Sequence, residues 1–184
     1  MPLNLAYPHA YDIEIDPELP GSGYPHETFV EYPAPKEVGR VCLTIRVSPE
    51  AGEPWIGRFW MGSGTGKADI FSCINETTLC VVAAGSAYII PILDPTHWTL
   101  VEIEPIVEAC RIPGSGWMLF AGFYELALYS ALGRMWATDW LGVDGIKLEL
   151  VNEQVIHGLG YECAADTWLP FTVDVRTGDL QWCY

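Results

Sequence analysis

The chain has 184 residues, of which half are hydrophobic and only 18% are charged, and its formal net charge at pH 7 is −15. This composition excludes an intrinsically disordered chain, and the negative charge argues against binding to nucleic acid or to anionic lipid. No stretch approaches the roughly 20 apolar residues that span a bilayer, and the N-terminal stretch has no signal-peptide pattern. We therefore expect a cytoplasmic protein without a cofactor, whose acidity either favours a basic partner or maintains solubility.

The first 35 residues contain seven of the fourteen prolines and no Lys or Arg. Because proline removes a backbone donor and fixes φ, this segment is predicted to be an extended arm (residues 1–35) on a single domain (residues 36–184). One stretch within the arm alternates apolar and acidic residues, which predicts an edge strand with an acidic face. Its acidic members are Asp12, Glu14 and Asp16.

From residue 40 onward the sequence reads as short strands, rich in β-branched and aromatic residues, separated by Gly, Pro, Asn and Asp. The stretch 122–136 contains good helix formers, but its apolar spacing fits a strand, a turn and a second strand equally well. The repeat described next favours the strands. The sequence therefore predicts an all-β fold.

Three segments of about 37 residues superpose, near 69–105, 106–143 and 144–184. Cys73 aligns with Cys110 at a spacing of 37, and Ala84-Gly85 aligns with Ala121-Gly122 and then with Leu159-Gly160. Four short antiparallel strands per repeat resemble the blade of a β-propeller. A β-sandwich whose hairpins happen to recur is the alternative.

The C-terminal segment carries the pattern D-G-x-K-L from Asp144, G-L-G from Gly158, and F-x-V-D-x-x-T-G from Phe171. In this pattern the chain resembles small bacterial all-β proteins of uncharacterised function. The resemblance implies a fold family and no activity.

The glycine-rich stretch that ends at Gly66-Lys67 is the nearest approach to a phosphate-binding motif. A P-loop requires a glycine where Met61 stands and a hydroxyl residue where Ala68 stands. The following residues are predicted to be a strand, so no helix N-terminus is available for an anion. We interpret the stretch as a turn.

Catalytic and metal-binding patterns are weak. The four histidines have no metal-ligand spacing, and the six cysteines are interpreted as buried free thiols. Cys163 becomes a candidate nucleophile only if His157 approaches it across a hairpin. Asp139 and Asp144 flank a predicted turn and are the best candidates for an acid/base pair.

Candidate binding residues are acidic or aromatic. The acidic ones are Asp12, Glu14 and Asp16 on the first strand, with Glu102 and Glu104 on a later predicted strand. Of the eight tryptophans, Trp140 and Trp168 are predicted to be the most exposed. The sequence favours a non-catalytic protein-interaction protein in an immunity-type, inhibitory or scaffold role. A carbohydrate-binding module or glycosidase, and a small hydrolase, are the alternatives.

Overall fold

The computed structural model describes residues 3–19, 28–33, 41–61 and 68–183. Within these ranges the chain forms β-strands and no helix, which confirms the predicted all-β class; none of the described residues forms a helix long and apolar enough to cross a membrane. The strands are β1 (Leu3–Asn4), β2 (Tyr11–Ile15), β3 (Thr28–Tyr32), β4 (Cys42–Pro49), β5 (Trp55–Trp60), β6 (Ala68–Ser72), β7 (Thr78–Ala83), β8 (Ser86–Pro91), β9 (Thr99–Leu100), β10 (Glu108–Arg111), β11 (Met118–Ala121), β12 (Leu126–Ser130), β13 (Gly133–Ala137), β14 (Ile146–Val151), β15 (Val155–Glu162), β16 (Thr167–Asp174) and β17 (Leu180–Trp182).

The chain divides into two compact units, Met1–Val101 and Glu102–Tyr184. The first unit contains sheet A, ordered β1-β6-β7-β8-β9, and sheet B, ordered β2-β4-β5-β3. The second unit contains sheet C, ordered β10-β11-β12-β13, and sheet D, ordered β14-β15-β16-β17. The division predicted from the sequence, into residues 1–35 and 36–184, stays a prediction.

Most neighbouring strands are antiparallel and consecutive in the chain, which makes sheets C and D simple meanders. The exceptions are β1 with β6 and β3 with β5, which pair in parallel. In the stretch 122–136, β12 and β13 form the predicted hairpin. Ser130 helps the turn, since its hydroxyl oxygen accepts the Leu132 N–H at 3.2 Å.

The N-terminal strands contribute to the first unit. β2 is an edge strand of sheet B, as its alternation predicts, and its Tyr11 is buried and donates its hydroxyl to the Thr78 carbonyl at 3.0 Å. On β3, Tyr32 is fully buried and stacks on Phe59 with ring centroids 4.3 Å apart. Residues of the first 35 therefore form part of the core of this unit.

Each unit contains a hydrophobic cluster to which both of its sheets contribute. In the first unit, Ile45 and Val47 of sheet B share a cluster with Leu79 and Tyr88 of sheet A. In the second unit, the cluster joins Leu119, Leu126 and Leu128 of sheet C with Ile156, Phe171 and Val173 of sheet D. Strand alternation causes this arrangement, because every second side chain faces the partner sheet.

The repeat in the sequence and the strands in the structure agree in part. The strands β6 to β9, β10 to β13 and β14 to β17 lie within or at the edges of the three predicted segments. The aligned glycines, however, differ in place: Gly85 lies in the β7–β8 turn, Gly122 follows β11, and Gly160 lies inside β15. The third hairpin extends past its glycine because β15 stays paired with β16 as far as Glu162.

The T-G part of the C-terminal pattern forms the turn between β16 and β17. The Asp174 carboxylate accepts the backbone N–H groups of Arg176 and Thr177 at 2.8 and 2.9 Å and the Thr177 hydroxyl at 3.2 Å. Hydrogen bonds from Thr177, then from Arg176, hold the pKa of Asp174 below its usual value. Gly178 has a φ of 76°, which favours glycine. This part of the pattern is structural.

The lowered pKa predicts a pH effect on Asp174→Asn. A carboxylate whose pKa is lowered by folding stabilises the fold above its unfolded-state pKa of about 4, and this contribution is lost as the pH falls through the folded-state value. The variant is therefore expected to be less stable than wild type at about pH 7 and to match it at about pH 2. Denaturant midpoints at both pH values measure this.

Glu149→Gln is the control for that comparison, since Glu149 is exposed and forms no hydrogen bond or ion pair within the described residues. An equal stability difference between Asp174→Asn and wild type at both pH values would contradict the assignment.

The glycine-rich stretch from Gly62 to Lys67 lies outside the described residues. Its interpretation as a turn stays a prediction.

Candidate functional site

The segment from Thr138 to Gly145, between β13 and β14, is bound to both sheets of the second unit. Toward the β11–β12 connection, the Leu141 N–H donates to the Tyr124 carbonyl at 2.7 Å and Gly145 donates to Phe123 at 3.1 Å. Toward β15, the Val143 N–H donates to the Tyr161 carbonyl at 2.9 Å. We call residues 138–145 the bridging segment; its backbone is fixed from two sides.

Trp140 projects from the bridging segment and is 70% exposed. Its indole stacks on the ring of Tyr124, with centroids 5.3 Å apart and planes 19° apart. The stack restricts the orientation of the indole and covers one of its faces. The chain therefore presents an exposed aromatic surface whose orientation is set before any ligand arrives.

A cleft of about 250 Å³ opens beside Trp140. The bridging segment supplies one part of the lining of this cleft, and strands β15, β16 and β17 supply the rest. Its aromatic residues are Trp140, Tyr161 and Trp182, and Glu162 is its one carboxylate. The remaining lining residues are Leu141, Gly142, Val143, Gly160 and Leu169.

Two glycines allow the bridging segment to lie against β15. A Cβ at Gly160 would lie 1.6 Å from the Leu141 carbonyl oxygen, closer than any two non-bonded atoms can approach. A Cβ at Gly142 would lie 2.9 Å from both the Gly145 carbonyl oxygen and the Tyr161 nitrogen. These close backbone contacts form the floor of the cleft, which is why the G-L-G pattern ends in glycine.

Glu162 is oriented by a backbone N–H, and no cationic side chain of the described residues pairs with it. Its Oε1 accepts the Ala164 N–H at 2.9 Å, which orients the carboxylate at the start of the β15–β16 turn. Within the described residues it forms no ion pair with a Lys or Arg side chain. Its charge is therefore uncompensated at the edge of the cleft.

Trp168, the second predicted binding tryptophan, is only half-buried and already has partners. The Lys147 Nζ lies 3.7 Å from the centroid of its ring, a cation–π contact. Tyr161 packs on it with ring centroids 5.3 Å apart. The hydroxyl of Tyr161 donates to Asp166, and this hydrogen bond raises the pKa of Tyr161. Trp168 thus offers less free surface than Trp140.

Asp139 and Asp144, the candidate acid/base pair, both lie exposed in the bridging segment. Within the described residues neither forms a hydrogen bond or an ion pair, so nothing here couples them to each other. Asp139 precedes Trp140 in the chain and Asp144 follows it by four residues, and neither is among the residues that line the cleft.

The other acidic candidates lie partly in ion pairs. Glu14 faces Arg46 across β2 and β4, with 2.6 Å between Oε2 and Nη1, and Glu102 pairs with Arg134 at 2.5 Å. The strand predicted to contain Glu102 and Glu104, over residues 98–104, is shorter than expected. It is β9, which ends at Leu100, so both residues follow it. The sequence contained no signal for these pairs, because each partner is distant in the chain.

Among the described residues, no cysteine and histidine form a catalytic pair. All six cysteines are free, as predicted, but Cys163 and Cys183 are exposed instead of buried. His157 does not approach Cys163. The Nδ1 atom of His157 lies 3.0 Å from Thr172 Oγ1. Six residues along β15, or about 20 Å, separate His157 from Cys163 in the β15–β16 turn. Among the described residues no three His, Cys, Asp or Glu side chains could hold a metal ion.

Comparisons with known proteins add little. No protein-family model matches the chain, and no curated protein matches it. A solved structure described as "Crystal structure of the eukaryotic initiation factor" has 10% identity and a TM-score of 0.44, covering 76% of this chain. This chain spans 40% of that one. A similarity of this size supports no conclusion about fold or function.

Four residues of the site were not predicted from the sequence: Tyr161, Glu162 and Trp182, which line the cleft, and Tyr124, which stacks on Trp140. The local pattern around each is that of an ordinary strand or turn residue. They meet at the cleft because of the β15–β16–β17 register and the bridging segment, which local spacing does not reveal.

Proposed function

We propose that the chain is a non-catalytic acidic protein that binds a basic partner protein, in an immunity-type, inhibitory or scaffold role. The observation that carries the proposal is the exposed, oriented Trp140 beside uncompensated carboxylates. We call Tyr124, Asp139, Trp140, Asp144 and the adjoining cleft the Trp140 surface.

Charge supports a basic partner. The second unit contains twelve Asp and Glu residues and four Lys and Arg residues. Among these cations, Arg134 pairs with Glu102 and Lys147 lies over the ring of Trp168. The resulting negative field accelerates encounter with a basic surface and disfavours an acidic one.

The stack of Trp140 on Tyr124 supports a role in protein binding. Tryptophan is among the residues that dominate protein interfaces, because it buries a large area with few rotatable bonds. An indole held by Tyr124 loses less conformational entropy on binding than a free one, so more of the contact energy becomes affinity.

A carbohydrate-binding module or glycosidase is the second candidate, since stacked aromatic rings beside carboxylates also suit a sugar ring. Against it, the cleft is smaller than the roughly 300–1,000 Å³ of typical small-ligand pockets. Asp139 and Asp144 would have to act as the catalytic pair in a glycosidase. No observation among the described residues favours the small hydrolase.

Two further proposals accompany the function. The four-stranded sheets are proposed to be blade-like repeats, with a β-sandwich as the alternative, and the resemblance to small bacterial proteins is proposed to reflect this fold. The six free cysteines support a reducing, cytoplasmic compartment.

A matched pair of charge variants tests the proposed function on a partner isolated from the host organism. Asp139→Asn with Asp144→Asn should lower the association rate by about three- to tenfold at low salt, because carboxylates next to the docking surface steer encounter. Stopped-flow or surface-plasmon kinetics measure this rate.

Asp12→Asn with Asp16→Asn is the control, since it removes the same charge from residues without an ion pair in the first unit. It should lower the rate less. If the two double variants lower the association rate equally, the Trp140 surface is not the docking surface. If neither lowers it, charge does not steer the association.

A further inference from the structure

We propose that the cleft beside Trp140 is a binding site for an arginine side chain of the partner, with the guanidinium group held by the aromatic rings and by Glu162. This inference deepens the proposed function, on which it rests, by naming the group that the Trp140 surface accepts.

The lining has the chemistry that recognises an organic cation. Two tryptophans, Trp140 and Trp182, line one cleft, and the electron-rich faces of such rings attract cations. Tyr161 also lines the cleft, but its ring packs on Trp168. The same unit already contains one such contact, Lys147 over Trp168 at 3.7 Å. Trp140 has no cation of this kind among the described residues.

The carboxylate supplies the second element of recognition. Glu162 lies in the lining, is oriented by the Ala164 N–H at 2.9 Å and has no ion-pair partner within the described ranges. A guanidinium group can donate two parallel hydrogen bonds to a carboxylate while its plane stacks on an aromatic ring. Arginine is favoured over lysine because the guanidinium is less strongly hydrated and stacks.

The volume of the cleft and the negative charge of the bridging segment both suit a single cationic side chain. A cleft of about 250 Å³ lies below the range of typical small-ligand pockets and suits one side chain better than an oligosaccharide. Asp139 and Asp144 belong to the same short segment as Trp140, and their negative charge favours the approach of a cation.

The test compares two peptides that differ only in charge: acetyl-Gly-Arg-Gly-amide and the same peptide with citrulline, which is neutral and nearly isosteric. The readout is the indole N–H chemical shift of Trp140 and Trp182 in the intact chain. The arginine peptide should shift both signals saturably, and the citrulline peptide should bind at least about tenfold more weakly. This comparison leaves the protein unaltered.

Variants then locate the site. Trp140→Ala should abolish saturable binding, and Glu162→Gln, which keeps the acceptor for Ala164, should weaken it about three- to tenfold. Glu149→Gln removes one exposed carboxylate outside the cleft lining and should leave the affinity unchanged. Equal binding of the two peptides, or equal effects of Glu162→Gln and Glu149→Gln, would overturn the arginine site.

A cello-oligosaccharide titration separates the remaining outcomes. Stronger shifts of Trp140 and Trp182 with the sugar than with the arginine peptide would overturn the proposal in favour of a carbohydrate site. If a basic partner binds with charge-dependent kinetics while the arginine peptide does not bind, the arginine site is contradicted and the proposed function stands. If the peptide binds and no partner associates in a charge-dependent way, the proposed function fails and the site stands.

Discussion

Gly160→Ala is expected to lower the free energy of unfolding of the second unit by about 3 kcal/mol or more, or to prevent this unit from folding. The added Cβ would lie 1.6 Å from the Leu141 carbonyl oxygen. The backbone around this oxygen is held in place, because the Leu141 N–H donates to the Tyr124 carbonyl and the Val143 N–H donates to the Tyr161 carbonyl. Backbone cannot rotate away as a flexible side chain can, so the strain exceeds that of ordinary overpacking.

The chain offers a matched control, because the sequence repeat aligns Gly160 with Gly122. A Cβ at Gly122 would meet its nearest atoms at 3.5 Å, an ordinary van der Waals distance. Gly122→Ala should therefore change the stability by less than about 1 kcal/mol. Urea unfolding, followed by circular dichroism and tryptophan fluorescence, measures both variants. Similar stabilities of the two would contradict the close approach of the bridging segment to β15.

Tyr32→Ala is expected to destabilise the first unit by about 3–5 kcal/mol. The Tyr32 ring is fully buried and stacks on Phe59 with centroids 4.3 Å apart. Its hydroxyl also donates to the Pro95 carbonyl at 2.9 Å. Truncation therefore leaves a cavity and removes the donor to a part-buried carbonyl.

Two variants separate these contributions. Tyr32→Phe keeps the ring and should cost about 1 kcal/mol, the typical net value of one hydrogen bond. Phe29→Ala, on the same strand β3 at 50% exposure, should cost less than Tyr32→Ala. Thermal and urea unfolding measure all three. If Tyr32→Ala is as mild as Phe29→Ala, residues 28–32 are a peripheral arm and not part of the core.

The strands were predictable because alternation and turn residues are local. The stretch 122–136 shows this: its helix formers are outweighed by the pairing of β12 with β13. Edge strand β2 was also predictable, since Tyr11, Ile13 and Ile15 alternate with acidic residues. The parallel pairing of β3 with β5 was not predicted, because the prolines around β3 suggested an extended arm without strand partners.

Three residues of the Trp140 surface were singled out from the sequence: Asp139, Trp140 and Asp144. Trp140 was singled out because it precedes a turn, and it is exposed. Its stacking partner Tyr124 lies sixteen residues earlier in the chain, and Glu162 and Trp182 lie twenty-two and forty-two residues later. Only the register of sheet D and the backbone contacts at Gly142 and Gly160 bring these residues to one cleft. Likewise, nothing local revealed that Lys147 covers Trp168.

The most direct test of the proposed function is the association rate of the wild-type chain with an isolated basic partner, measured as the ionic strength is raised. The net charge of −15 predicts that the rate falls about tenfold or more between about 10 mM and about 150 mM salt, because the Debye length shortens from about 30 Å to about 8 Å. A rate that changes by less than about twofold over this range would contradict electrostatic docking and would mean that the acidity serves solubility alone.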